Sequence, residues 1–339
     1  MFILSLLTAA LGVLFAFLVG RNAMKIGVTL GLLDHPDGAR KIHARATPLV
    51  GGFAVAGAAV VAAGLVALLT GDMRLIGLGV AVAMMFLIGA IDDRKHQPPL
   101  LRLGAAIAVL LLLLVFAPVF SVGELRFGGI STVWVLPVAA GIAFTLLCLV
   151  GLLNAINMAD GKNGIVIGFG LIWTVVLAFH APPLLWPVLA GTGGALVVTL
   201  VYNLRGKLFL GDGGSYALSA LYGLAAIFAY NAPGATMMAA DTAVLFAIPV
   251  FDTVRLMVVR ASGGRSPLEG DRDHLHHHLY ARIGWPRGLL VYMAMIAVPN
   301  FGALVWRETG LFWLVVSLVI YILVMGATRF APASGRPAE

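Results

Sequence analysis

Charge is scarce in this chain: only 11% of its 339 residues are Asp, Glu, Lys or Arg, against 61% that are hydrophobic. So few polar groups cannot cover a soluble globule with that much apolar surface, and a mean hydropathy of +1.01 points to lipid as the solvent. Cysteine is nearly absent as well. Cys148 is the single one, which excludes an intramolecular disulfide framework and a cysteine-based metal site; its apolar surroundings mark it as a small packing residue. No Lys or Arg precedes Arg21, so the first apolar run lacks the charged leader of a cleaved signal peptide and is expected to be a retained span.

What is abundant is long apolar runs. Ile3 to Gly20, Val50 to Leu69, Leu103 to Val119 and Leu311 to Met325 each approach the roughly 20 residues that a helix needs to cross hydrocarbon. Backbone groups in lipid must be satisfied within their own segment, so the spans are helices. The pattern predicts an all-α polytopic membrane protein of about eleven spans, at 2–20, 50–70, 75–91, 101–119, 132–152, 165–180, 183–202, 216–231, 238–256, 288–306 and 311–328. Residues 1–328 are expected to form one transmembrane domain, followed by a short disordered tail at 329–339.

The basic residues are divided unequally between the two sets of loops. Nineteen of the 22 Lys and Arg fall on the side of the loop after the first span and of the C-terminal tail; Arg74, Arg126 and Arg307 are on the other. That bias places the N-terminus outside, in the periplasm, and the C-terminus in the cytoplasm. The formal charge of +7 is therefore cytoplasmic, suited to anionic lipid and a polyanionic substrate, and gives no reason to invoke nucleic acid. The polar clusters sit on the same side. A transporter needs polar groups near the membrane midplane, so a one-sided polar cap favours chemistry at the cytoplasmic surface over transport.

Five clusters carry that chemistry. The basic loop after the first span, with Lys41, ends in Pro48-Leu-Val-Gly-Gly52, and basic side chains beside a glycine-led helix start suit phosphate. Asp92 and Asp93 are adjacent carboxylates at the water boundary, costly without a cation or a shared proton, and so mark a metal or general-base site. In Asn154-Ala-Ile-Asn157-Met-Ala-Asp160-Gly-Lys-Asn163, amides and a carboxylate at a spacing of three can line one helical face. Such amides can read a uracil edge or ligate Mg²⁺. Asn203 and Phe209 lead into Gly211-Asp212-Gly-Gly-Ser215, where the glycines let backbone and anion approach closely. Last comes Pro249-Val-Phe-Asp252-Thr, followed by Arg265 and by His274-Leu-His276-His277-His278, which holds half of the eight histidines. Zinc is a rival use for these, with a zinc-dependent intramembrane hydrolase as its consequence, but adjacent histidines cannot all ligate one ion and the order is not His-Glu-x-x-His. Arg and His together suit anion handling.

In this order and spacing, from Asp34 to Leu279, the clusters resemble the polyprenyl-phosphate N-acetylhexosamine-1-phosphate transferase family. The His-Leu-His-His run after an Arg-rich loop is most similar to the WecA/TagO type, which uses UDP-N-acetylglucosamine and undecaprenyl phosphate. The MraY type, acting on UDP-MurNAc-pentapeptide, usually has proline where this chain has His274; it is the alternative enzyme, and a membrane transporter the non-enzyme one. The resemblance implies a multi-pass enzyme of the bacterial inner membrane that starts a lipid-linked cell-envelope polysaccharide. It implies Mg²⁺, with Mn²⁺ as a substitute, held by Asp212 and Asn157, and a homodimer as the assembled state. Asp92, Asp93 and His277 are implied as catalytic. Lys41, Asn154, Asp160, Asn163, Asn203, Phe209, Arg265, His274 and His276 are implied to bind substrate. The family usually carries an acid where Asn163 stands, so contact there is by an amide rather than a charge.

Overall fold

The computed structural model describes residues 1–35, 46–128, 133–264, 266 and 273–329. Lys41, Arg265 and the tail beyond Arg329 therefore lie outside the described residues. Among those described, thirteen α-helices carry the fold and strand is confined to short pairs. The helices are α1 (Phe2–Arg21), α2 (Ala23–Leu30), α3 (Gly51–Thr70), α4 (Met73–Arg94), α5 (Pro99–Phe116), α6 (Val138–Ala159), α7 (Ile165–His180), α8 (Trp186–Leu204), α9 (Gly211–Tyr230), α10 (Ala239–Ser262), α11 (Leu275–Ile283), α12 (Arg287–Val305) and α13 (Gly310–Arg329). Strand β1 (Leu33–Asp34) pairs antiparallel with β2 (Thr47–Pro48), Leu33 opposite Pro48.

A helix lies in each of the eleven predicted segments, and nine helices are long and apolar enough to cross a membrane among the described residues. The protein is an all-α, multi-pass membrane protein. Of the helices in the eleven predicted segments, two fall outside the nine for different reasons. Helix α7 is apolar but only 16 residues long. Helix α9 has 20 residues but carries Asp212, Ser215, Tyr216, Ser219 and Tyr222. It tolerates them because protein, not lipid, surrounds it: every residue but Asp212 is buried, with α3, α4, α6 and α7 as neighbours. The Tyr222 hydroxyl, deep in that packing, bonds Thr174 at 2.6 Å. By contrast α1, α5 and α13 leave most of their apolar surface uncovered, as lipid-facing helices do.

Several helix ends differ from expectation in one consistent way. Helix α4 runs through Asp92 and Asp93 to Arg94, α6 starts after Pro137 and continues through Asn157, and α9 begins at Gly211 rather than 216. The residues at 133–135, predicted as the start of the fifth span, form a strand instead. The polar residues at the span ends are thus the terminal turns of helices, as their spacing and glycines suggested. Two short helices, α2 and α11, were not predicted.

The chain divides into two compact units, one of Met1–Leu125 with Trp134–Met237, the other of Arg126–Val133 with Met238–Glu339. In the first, α3, α4 and α9 meet through glycines. A Cβ on Gly52 would lie 2.3 Å from the Gly214 nitrogen, and one on Gly89 would lie 2.3 Å from the Asp212 carbonyl oxygen. Only hydrogen fits at those crossings. In the second unit α10, α12 and α13 pack on one another, and α11 lies against α12 and α13.

Candidate functional site

The first unit gathers its polar side chains where α4 ends and α9 begins. Gly211 enters α9 at φ +75°, a left-handed conformation that glycine adopts without strain. This turn points the first amides of α9 at Asp93, whose carboxylate accepts the N–H of Asp212 at 2.9 Å and of Gly213 at 3.0 Å. Those N–H groups have no partner within their own helix, and a carboxylate there also meets the positive end of the helix dipole. Asp93 is thus the cap of another helix. It fixes where Asp212 stands.

Asp212 in turn accepts a hydrogen bond from Asn157 Nδ2 at 2.8 Å, and the same nitrogen reaches Ser215 Oγ at 3.1 Å. On its other side is a residue that the motifs did not single out. Arg102, in the first turn of α5, donates through Nη1 to Asp92 Oδ2 and lies 3.4 Å from Asp212 Oδ2. Asp92 is buried, and its second oxygen accepts the Gln97 N–H at 2.6 Å. Two carboxylates that would repel are held together by one guanidinium.

The remaining predicted residues of this unit surround that core at different depths. Asp160 ends α6, where burial pushes its carboxyl up to about 7, with the negative charge of Asp93 adding to the rise. The folded protein keeps a proton there that the unfolded chain, with a carboxyl near 3.8, gives up. Raising the pH from about 4 to about 7 therefore costs stability, and the loss is complete above that range. Asp160→Asn is expected to flatten the fall in Tm between about pH 4 and 7 in detergent; an equal fall in the variant would remove Asp160 as its source.

Asn203 is buried and commits both ends of its amide to backbone, accepting the Gly164 N–H at 2.7 Å and donating to the Leu208 carbonyl at 3.0 Å. A nucleotide contact would exchange one of these bonds. Asn154 donates back to the Val150 carbonyl at 2.8 Å, while Asn163 is half-buried beside Gly164. Phe209 contributes backbone: its N–H donates to Pro48 and its carbonyl accepts the Gly51 N–H, both at 2.9 Å, joining the Pro-Leu-Val-Gly-Gly motif to the Gly-Asp motif.

The second unit builds its own cluster around Asp252 of α10. This buried carboxylate accepts from His274 Nδ1 at 3.0 Å, from the Tyr321 hydroxyl at 2.8 Å and from Arg255 at 3.2 Å, and both oxygens lie 3.2 Å from the Leu275 N–H. The His274 ring stacks on His276 at 5.5 Å and 11°, and His276 lies 4.2 Å from His277. Arg255 also bonds Asp273, which pairs with His278 Nε2 at 2.8 Å. Partial burial raises the Asp273 carboxyl, but hydrogen bonds from Arg255 and His278 outweigh it and hold the group below the usual carboxylate range.

Of the residues expected in the site, the structure joins Asp92, Asp93, Asn157 and Asp212 in one cluster and His274, His276 and His277 in another. Arg102, Arg255 and Tyr321 were missed, and Ser215, part of the Gly-Asp-Gly-Gly-Ser motif, had no role assigned. The sequence did carry one signal for Arg102, a cation beginning a helix just after Pro98 and Pro99.

The first of these clusters falls in a stretch shared with known proteins. The glycosyl transferase family 4 profile matches residues 75–230, from α4 through α9. A decaprenyl-phosphate N-acetylglucosaminephosphotransferase of Mycolicibacterium smegmatis is 31% identical over 314 residues, covering 82% of this chain and 76% of the relative. The chain belongs to the polyprenyl-phosphate N-acetylglucosamine-1-phosphate transferase family. A probable undecaprenyl-phosphate N-acetylglucosaminyl 1-phosphate transferase of Bacillus subtilis is 26% identical across 98% of this chain and 91% of its own length. The Escherichia coli K12 undecaprenyl-phosphate alpha-N-acetylglucosaminyl 1-phosphate transferase is 29% identical, covering 83% and 78%. Within this transferase family, the Asp-Asp, Asn-x-x-Asn and Gly-Asp-Gly-Gly-Ser motifs all lie inside the matched region.

Proposed function

We propose that this transferase moves N-acetylglucosamine-1-phosphate from UDP-N-acetylglucosamine to a polyprenyl phosphate of the undecaprenyl or decaprenyl class. The reaction sits at the cytoplasmic face of a bacterial inner membrane and starts a lipid-linked envelope polysaccharide. The observation that carries this reading is the meeting of Asp92, Asp212 and Arg102 beside the capped start of α9. The relatives' names refer to N-acetylglucosamine, which supports that donor over a muramoyl-pentapeptide one. The basic bias of one set of loops supports the cytoplasmic placement.

In the reaction an oxygen of the lipid phosphate attacks the β-phosphorus of the UDP-sugar. The bond to the UMP oxygen breaks, giving UMP and a lipid-linked pyrophosphate. Both reactants are anions, so cationic groups and positioning supply most of the catalysis. Arg102 would bond phosphate oxygens while keeping Asp92 and Asp212 in place. Both Asp92 oxygens already receive donors, which suits orienting Arg102 and the acceptor more than taking a proton. Asp93 keeps the α9 amides and Asp212 in register. Asn154, Asp160, Asn163, Asn203 and Phe209 are assigned to the nucleotide side, and Lys41, Arg265, His274, His276 and His277 to phosphate. A homodimer is the proposed assembly, on resemblance alone.

The donor set fits Mg²⁺, or Mn²⁺ in its place. Its hard ligands are the Asp212 carboxylate and the Asn157 Oδ1, the amide atom opposite the Nδ2 that bonds Asp212, and no three His, Cys, Asp or Glu side chains converge on one point among the described residues. Mg²⁺ is commonly held by one or two carboxylates with water and substrate phosphate completing its shell. Asp212, with the Asn157 amide, would hold the ion, which when bound neutralises charge on the pyrophosphate.

The purified protein, incubated with a panel of UDP-sugars and undecaprenyl phosphate, is expected to release UMP and form a lipid pyrophosphate product with UDP-N-acetylglucosamine. Release of UMP without a lipid product, or counterflow in liposomes without UMP, would sink the reading.

A further inference from the structure

We propose that Asp252 is a positioning residue for transfer: it fixes the ring orientation and tautomer of His274, so that Nε2 is the ring atom offered to substrate phosphate. The inference rests on the transferase reading above. It assigns work to a buried acid that this reading leaves unused.

The geometry is that of a carboxylate behind an imidazole. Asp252 Oδ2 lies 3.0 Å from His274 Nδ1, and a carboxylate can only accept there, so the neutral ring carries its proton on Nδ1. Nε2 then has a lone pair when the ring is neutral and an N–H when it is charged. Among the described residues Nε2 has no hydrogen-bond partner, and it is not among the fully enclosed unsatisfied atoms. The same carboxylate accepts the Leu275 N–H, the first amide of α11, which fixes the helix start and the ring together. His276 follows on that turn with its ring stacked on His274, and His277 lies tilted against His276. Asp252 therefore sets the register of the histidine run from its first member.

Two features separate this from a carboxylate that merely satisfies its neighbours. Tyr321 and Arg255 also donate to Asp252, so the acid keeps a hydroxyl donor and a cationic partner whichever way the His274 ring turns. And His278 is held separately by Asp273, so the histidines are oriented by two acids rather than one. An acid thus lies behind each end of the run, as carboxylates do where they fix the tautomer and ring orientation of a histidine.

The test uses Asp252→Asn, nearly isosteric, whose amide can donate to Nδ1 and so favours the opposite tautomer. It is expected to lower kcat for UMP release by about 10²-fold with KM for UDP-N-acetylglucosamine changed far less. In a His274→Gln background the same substitution is expected to cost under about threefold, because its partner is gone. Full, independent losses in both backgrounds would overturn the proposal. ¹⁵N-histidine NMR of the unsubstituted protein, with His274→Gln for assignment, tests the tautomer without relying on how variants fold. A neutral His274 protonated on Nε2 would overturn the proposal. Absence of UMP release by the wild type would instead fault the transferase reading, since the tautomer is read without turnover.

Discussion

Asp212→Ala is expected to lower kcat/KM for UMP release by about 10³-fold or more while the protein still inserts and purifies as a folded species. The two halves of that expectation come from different contacts. Asp93 holds the start of α9 through the backbone of Asp212 and Gly213, and alanine retains that backbone. What is lost is the carboxylate that Asn157 and Arg102 address, and with it the charge that would hold a cation on the pyrophosphate. Asp212→Asn keeps the shape and loses the charge, so its deficit should be nearly as large. Near-normal transfer by either variant at saturating Mg²⁺ would show that the ion and this side chain are unconnected.

Gly89→Ala tests the same site from behind. The added methyl would stand 2.3 Å from the Asp212 carbonyl oxygen, 2.4 Å from its carbon and 2.5 Å from the Gly213 nitrogen, all backbone atoms that cannot swing aside. Helices α4 and α9 must separate or slide, at a cost of about 1–3 kcal/mol in stability. The displacement carries Asp212 with it, and misplacement of about 1 Å can cost about 10²-fold in rate. Thermal unfolding and UMP release on one preparation should both fall. Gly151→Ala in α6 is the matched control, since a Cβ there meets nothing within 4 Å, and it should leave both readouts near wild type. If Gly89→Ala behaves like Gly151→Ala, the close crossing does not position Asp212.

The spans were legible because an apolar run of the right length has few alternatives in lipid, and the motifs were legible because they are dense and ordered. Their placement was less so. Asp92, Asp93, Asn157 and Asp212 read as helix ends from sequence and do lie in terminal helical turns, where unpaired backbone groups and dipoles reward polar residues, but no spacing showed that Asp93 caps the helix of Asp212. Arg102 near a membrane boundary resembles a topology signal, and only three-dimensional proximity to Asp92 and Asp212 gives it a second role. The Asp252 network draws Tyr321 from 69 residues away, a separation that no local pattern reports. The reverse held for Asn203: its residue type suggested recognition, whereas its two bonds go to the backbone of flanking loops.

The sheathing of α9 also bears on how the molecule is made. Not among the nine strongly apolar spans, this helix is the one most fully enclosed by protein. Its helical neighbours in the unit, α3, α4, α6 and α7, all precede it in the chain, so during synthesis they leave the ribosome first. The segment bearing Asp212 thus emerges to find its walls already made, and the order of the genetic message doubles as an order of assembly.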